Sequence, residues 1–300
     1  MILCVGEILV DMIGGDKNGT FCYERKAGGA PFNVACATKK FGAVSGFVGC
    51  VGDDIIGSFL QKFIDEQGLD CAYVQKNEKA NTTLAFVELD EKGERSFCFY
   101  RKNTADYRLP EIPEEIFAQA KIVHIGSLML SETEGEAYAI GLAKRAKQAG
   151  KIVSFDVNFR DDIFRDTLSA VETYKEIIAL ADIVKFSEDE IQIFGEAYIQ
   201  NELKEKLVCV SLGGAGSQWR YQGNSANVPS ISVTPVDTTG AGDAFYAGVL
   251  AKLANEKPFA WTEDVLYKAF RFGNICGALN TLAKGAIDGL PSLQQIEKYL

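Results

Sequence analysis

Histidine is almost missing from these 300 residues: His124 is the only one. Imidazole acid–base catalysis and zinc sites built on several histidines are thereby nearly excluded. His124 stands inside the short apolar run Ile122-Val123-His124-Ile125, where it reads as a packed strand residue. Cysteine occurs eight times, at 4, 22, 36, 50, 71, 98, 209 and 276, but never as C-x-x-C. Without metal-ligand spacing, these read as reduced, mostly buried apolar side chains of a cytosolic chain. No apolar run approaches the ~20 residues of a membrane-spanning helix, and Met1 to Val10 lacks the basic region of a signal peptide. A net charge of −10 argues against nucleic acid or anionic membrane as a partner. Two phosphate-binding strings also fail. G-x-x-x-x-G-K-[ST] is absent, and G-x-G-x-x-G breaks where Phe245 replaces its third glycine.

What is present is Asp237-Thr238-Thr239-Gly240-Ala241-Gly242-Asp243, running into an all-apolar stretch with Ala244, Phe245, Ala247, Val249, Leu250, Ala251 and Leu253. Such a stretch predicts a buried helix. Two glycines one residue apart leave the backbone bare at its start, where unpaired N–H groups and the macrodipole favour an anion. Asp243 falls in the first turn, where the same dipole is expected to keep its carboxylate ionised. A phosphate cradle with a fixed carboxylate suits phosphoryl transfer to a hydroxyl. On residues alone the string is also a capped helix start, since Asp and Thr cap helices and Gly-x-Gly turns are common.

Apolar content of 47% with 24% charged residues fits a globular enzyme, with room for one large α/β domain and an appendage. Short β-branched runs begin near Ile122, Ile152, Ile183 and Val208, with helical patterns between them over Glu134 to Ala149, Asp166 to Ala181, and Ser187 to Lys206. Strand–helix alternation at roughly 30-residue intervals predicts a parallel sheet with helices on both faces. Met1 to Leu9 adds a strand, Asn33 to Gly42 a helix, and the last third is mainly helical. Phe21 to Lys26 falls outside this repeat. So do Thr82 to Leu89 and Glu94 to Arg101, joined by Asp90-Glu91-Lys92-Gly93 as a hairpin. They predict a small β flap whose apolar faces (Phe86, Phe97, Phe99) need cover from the cleft or a second subunit.

Asp237 to Leu250 resembles the C-terminal signature of the ribokinase-like (PfkB) sugar kinases. Gly28-Gly29-Ala30-Pro31-Phe32-Asn33-Val34-Ala35 and Gly46 to Gly57 resemble the N-terminal one, so the likeness spans the chain. It implies a three-layer α/β/α fold with a mostly parallel central sheet and a small β lid. The core would span 1–10, 33–79 and 109–300, and the lid 11–32 and 80–108. Asp243 would be the catalytic base, with the amides of Gly240, Ala241 and Gly242 receiving the phosphate. Asp11, Gly28, Gly29 and Asn33 would grip sugar hydroxyls, though alone they read as well as a strand end and a helix start. Ser211, Gly213 and Gly216 in Ser211-Leu212-Gly213-Gly214-Ala215-Gly216, with Asn274, would bind ATP. Glu190 would help hold magnesium, with Ser187 standing where the family has asparagine; Ser187-Glu188-Asp189-Glu190 is equally a capping box. Asp237 and Thr239, with Asn280, Ala283 and Gly285, match the family's potassium site.

Phe99-Tyr100-Arg101 and Asp156-Val157-Asn158-Phe159-Arg160 stand at strand ends, placing Arg101, Asn158 and Arg160 at the substrate. Phe99-Tyr100-Arg101 with Thr104-Ala105-Asp106, and His124-Ile125-Gly126-Ser127-Leu128, are most similar to fructokinases within the family. The implied enzyme is a cytoplasmic, ATP- and magnesium-dependent kinase of a hexose, D-fructose first, able to pair through its lid. The alternatives are 2-keto-3-deoxygluconate kinase, whose acidic sugar Arg101 and Arg160 could meet, then ribokinase or nucleoside kinase. A non-catalytic sugar sensor is disfavoured because Asp243 and its glycines are intact.

Overall fold

The computed structural model describes residues 1–89, 95–160, 163–164 and 166–300. The expected turn Asp90-Glu91-Lys92-Gly93 and the side chain of Phe97 lie outside what is described. The first strands are β1 (Ile2–Val5), β2 (Leu9–Lys17), β3 (Thr20–Gly28), β4 (Ser45–Gly52), β5 (Cys71–Asn77), β6 (Leu84–Leu89) and β7 (Arg95–Tyr100). Then come β8 (Ile122–Ile125), β9 (Ile152–Asp156), β10 (Ile183–Ser187), β11 (Leu207–Ser211), β12 (Gly216–Tyr221) and β13 (Asn224–Pro229). Nine form a large sheet in the order β13-β12-β11-β10-β9-β8-β1-β4-β5, and four form a separate sheet in the order β3-β2-β6-β7.

From β11 to β5 every neighbour is parallel. Strands β1, β4, β8 and β9 are buried along their length, as expected where helices cover both faces. Side chains alternate between two cores. Ile2 and Cys4 pack with Phe32, Phe245 and Phe270 on one side. Leu3 and Val5 pack with Ala139, Tyr174 and Phe194 on the other. The three-layer expectation is met, and the four repeat strands start within a residue of where the sequence places them.

The differences are local. The expected single strand over 1–9 breaks after Val5, and Leu9 begins β2, which leaves the large sheet for the small one. The expected helix over Ser187 to Lys206 is two, Glu188–Phe194 and Glu196–Glu202, parted by Gly195 at φ 89°. β12 and β13 form an antiparallel hairpin at the sheet edge, turning over Gln222 and Gly223, both at positive φ. Five of the eight cysteines are buried, while Cys22 and Cys98 are exposed on the small sheet.

The small sheet pairs β2 with β3 and β6 with β7 antiparallel, and joins the hairpins through the parallel pair β2–β6. Leu9, Phe99, Leu128 and Ile163 pack together beneath it. Phe21, Tyr23 and Tyr100 stay exposed on it. Among the described residues, no helix is long and apolar enough to cross a membrane.

Candidate active site

In parallel sheets, ligand-contacting residues gather beyond the carboxyl ends of the strands. Here those ends deliver Glu7 after β1, Asp156, Asn158 and Arg160 at and after β9, Lys185 and Ser187 in β10, and Ser211 in β11. Facing them is the helix Ala241–Leu253, buried at Ala244 through Ala251. Its N-cap, Gly240, sits at φ 72° and contributes no side chain to the cap. A Cβ there would stand 2.4 Å from Ala286 Cβ, so both conformation and space demand glycine. The amides of Gly242 and Asp243, having no residue one turn earlier to bond, are left for a ligand.

Two cavities meet at this helix start. The larger, about 480 Å³, is lined by Ser211, Gly213, Gly216, Ala241, Gly242 and Asn274, with Ile231, Val233 and Pro235 as an apolar wall. The smaller, about 290 Å³, is lined by Asp11, Gly29, Asn33, Asn158, Arg160 and Asp243, together with Glu7, Lys185 and Gly240. Thr238 and Gly242 line both. An extended ligand in the larger cavity can therefore reach a compact polar one in the smaller across a single glycine turn. The larger has the apolar wall a base needs, and the smaller the crowd of polar groups a polyol needs.

Asp243 is half-buried, and its Oδ2 accepts a hydrogen bond of 2.8 Å from Asn33 Nδ2. The helix dipole was expected to favour its charge, yet its pKa is raised to about 6. Burial is the main cause and Asp156 adds to it; Asn33, Lys185 and Arg160 pull the other way. The carboxylate is thus ionised at neutral pH but appreciably basic, as a general base should be. Asn33 is aimed by its helix, Ala30–Lys40, whose N-cap Gly29 has φ 111°. A Cβ on Gly29 would lie 2.5 Å from the Glu7 carbonyl oxygen. Gly28 lies against Asp11, where a Cβ would come within 2.4 Å of Oδ2.

Other expected residues fall at varying distances from the cavities. Ser187 caps Glu188–Phe194 in a capping box with Glu190. The Glu190 carboxylate accepts the amides of Ser187 and Phe159, each at 2.7 Å. Neither residue lines either cavity. Asn274 donates to the Val228 carbonyl at 2.8 Å while lining the larger cavity. Asp237 Oδ1 accepts from the Thr239 amide and hydroxyl, and its Oδ2 from the Gly285 amide. Asn280 donates to the Thr239 carbonyl, which leaves its buried Oδ1 without a protein partner. The two loops named as the potassium site therefore touch, Ala283 being exposed between them.

Arg101 does not line the cavity holding Asp243. It borders a neighbouring one under the small sheet, bound through Nε to Asp106 Oδ2 at 2.6 Å and through a second nitrogen to Ser131. Both partners of the ion pair are buried.

Two functional candidates, Glu7 and Lys185, escaped sequence reading. Glu7 is buried with both carboxylate oxygens lacking a protein partner, and burial pushes its pKa to about 7. Lys185 is buried in β10, and its Nζ holds Asp156 at 2.8 and 3.0 Å. A signal existed: each is a charge interrupting an apolar strand or its end. His124 meets the expectation of a packed residue. Its Nδ1 faces Ser154 Oγ at 3.1 Å, and burial, aided by Lys185, lowers its pKa to about 3.

Comparison with known proteins agrees with this geometry. The pfkB family of carbohydrate kinases matches residues 1–293. The chain is 36% identical to a probable fructokinase-5 of Arabidopsis thaliana, covering all of this chain and 97% of the relative. Among solved structures, the ATP-bound fructokinase of Xylella fastidiosa superposes with a TM-score of 0.92 at 31% identity, covering 99% of this chain and 97% of that one. The fructokinase of Vibrio cholerae O395, in its fructose-, ADP- and calcium-bound form, superposes with a TM-score of 0.89 at 31% identity over all of this chain and 98% of that one.

Proposed function

The chain belongs to the pfkB family of carbohydrate kinases, and on that footing we propose that it is a fructokinase, moving the γ-phosphoryl group of ATP to the terminal hydroxyl of D-fructose. The observation that carries this reading is the junction of the two cavities at Gly242, beside a carboxylate whose pKa is raised to about 6. ATP takes the larger cavity, with its base against Ile231, Val233 and Pro235 and its phosphates toward Gly213 and Gly242. Fructose takes the smaller, where Asp11, Asn33, Asn158 and Arg160 supply donors and acceptors for its hydroxyls.

Asp243 takes the hydroxyl proton as the new O–P bond forms. A loose transition state leaves little covalent work for the protein, so alignment and the free amides of Gly242 and Asp243 provide most of the acceleration. Ala241, expected from the sequence to share this role, spends its amide on the Thr238 carbonyl at 3.2 Å. The small sheet is the lid over this cavity: Leu9 and Phe99, which line it, belong to β2 and β7. Lid closure keeps water from competing as acceptor.

The enzyme uses ATP and a metal ion, and magnesium is the ion that suits the residues present. Among the described residues no group of three acidic or metal-ligating side chains forms a cage. Magnesium keeps most of its water and takes few protein ligands, so phosphate oxygens with Glu190 through water would hold it. There it would neutralise charge on the phosphates. Potassium fits the loops of Asp237 and Asn280, where the Asn280 Oδ1 and backbone carbonyls are hard oxygen donors; activation by KCl over NaCl would test this. We place the enzyme in the cytoplasm and pair two copies through the exposed lid residues Phe21 and Tyr100.

Release of ADP should be measured with fructose, 2-keto-3-deoxygluconate, ribose and adenosine in parallel. Fructose is expected to give the highest kcat/KM. A higher value for the acidic sugar, matched to Arg160, would move the assignment to 2-keto-3-deoxygluconate kinase.

A further inference from the structure

A lysine is almost never buried without a purpose or a partner. Lys185 has the partner: it and Asp156 form an ion pair with side chains 8% and 3% exposed. That pair is not an obvious gain in stability, since withdrawing two charges from water costs about as much as their attraction returns. Its placement is informative. Lys185 lines the cavity that holds Asp243, Asn158 and Arg160. A Cβ built on Gly242 would meet only Lys185 Nζ, at 3.6 Å, and Lys185 Cε, at 3.7 Å. The ammonium therefore lies against the open side of Gly242, which with Thr238 lines both cavities. Asp156 occupies two of its three N–H donors, and the third remains for a ligand.

We propose that Lys185 is a further catalytic residue, donating a charged hydrogen bond to the phosphoryl group as it crosses Gly242, with Asp156 as the residue that positions it. This rests on the fructokinase reading. In the transfer, the bond from the γ-phosphorus to the bridging oxygen of ATP breaks and one to the sugar oxygen forms. The hydroxyl proton goes to Asp243, ADP leaves, and Lys185 keeps its own protons throughout. The pair acts with its two ends apart. Its cation faces the glycine turn where negative charge passes, while Asp156 raises the basicity of Asp243 and Lys185 stays protonated because Asp156 and Glu190 outweigh the effect of burial. A point charge fixed in a water-poor pocket needs no rearrangement as the reaction proceeds.

The test must separate chemistry from folding, because Lys185→Met alone strands a buried carboxylate. The double variant K185M/D156N removes both charges at nearly constant volume and is the informative one. With fructose and MgATP, its kcat is expected to fall at least about 100-fold, as for loss of one preorganised donor. Its fructose Kd and circular dichroism should stay close to wild type, and Lys185→Arg, which keeps the charge, should retain more kcat than the double variant. A double variant with kcat within about threefold of wild type, or one whose defect lies wholly in fructose KM, overturns the proposal. Wild-type protein run alongside separates the two readings. If it releases no ADP with fructose, the fructokinase assignment falls and this inference with it; if it turns over and the double variant is unimpaired, only the role of Lys185 falls.

Discussion

Replacing Asp243 by asparagine tests the reaction and the cost of housing it at once. The side chain keeps its size, but Asn33 Nδ2 donates to Oδ2 of Asp243 at 2.8 Å, so an asparagine must turn its carbonyl oxygen toward Asn33. Its NH2 group then faces the sugar hydroxyl, where it can accept no proton. A positioned general base contributes about 10²–10⁴ in rate, so kcat in a coupled ADP-release assay should drop by at least two to three decades. Calorimetric titration should still show fructose and a non-hydrolysable ATP analogue binding. Turnover within about tenfold of wild type would refute the base assignment.

The same substitution makes a second, opposite prediction for stability. The pKa of Asp243 is about 6 in the folded protein against an ordinary 3.8. A raised carboxyl pKa means that the folded state binds the proton more tightly than the unfolded one. Above about pH 6 the ionised group therefore weakens the fold, by up to about 3 kcal/mol for a shift of this size. Asp243→Asn removes that penalty. Its Tm should exceed that of wild type at pH 8, and the gain should shrink as pH falls through about 6 and vanish below 3.8, where both states are protonated. A variant that loses activity while gaining stability is the mark of a strained functional group. A lower Tm at pH 8 would show that the carboxylate is satisfied in the fold, contrary to its burial beside Asp156. In wild type, kcat/KM should decline below about pH 6 as Asp243 is protonated.

Gly240→Ala should lower both Tm and kcat, because the left-handed backbone costs about 1–2 kcal/mol for a non-glycine residue and the new Cβ collides with Ala286; an unchanged melting curve would contradict this. Glu7→Gln should raise Tm at pH 8 more than at pH 5, since burial pushes Glu7 to about 7 and its ionised oxygens have no protein partner. Equal shifts at the two pH values would mean that the carboxyl is not the source. Arg101→Met should lower unfolding free energy in urea by about 3–5 kcal/mol by stranding the buried Asp106, with R101M/D106N recovering much of it. A loss confined to fructose KM, with stability intact, would instead return Arg101 to the sugar.

Most of the architecture could be read from the chain because it depends on local, periodic signals. Apolar runs at βαβ spacing became β8 to β11, and the all-apolar stretch after Asp243 became the buried helix Ala241–Leu253. The break after Val5 was not legible, because the chain leaves one sheet for another there and the residues stay apolar on both sides. The edge hairpin of β12 and β13 was carried only by Gln222-Gly223, a weak turn signal beside a glycine-rich loop already given another role. Asp243 and Asn33 line one cavity because each sits in a helix's first turn behind a glycine that presets its direction, and Asp11 joins them from within β2, near where the chain enters the small sheet.

Glu7, Asp156 and Lys185 belong to a different class. Nothing within a few residues marks them as partners, and their relation exists only once β1, β9 and β10 lie side by side with Lys185 opposite Asp156 in register. What the sequence does show is a charge where the strand pattern calls for an apolar side chain. Such a charge must be neutralised, paired or used, and in Lys185 it is paired by Asp156 while still facing a cavity. The acidic chain needs this arrangement. With a net charge of −10 it cannot draw ATP by its overall field. Attraction for a phosphate must instead come from a few positive groups at short range: the first amides of Ala241–Leu253, Arg160 and Lys185. Short-range attraction is weakly screened by salt, so the KM for ATP should vary little between low and moderate ionic strength, whereas a protein steering ATP by long-range charge would lose affinity steeply over the same range.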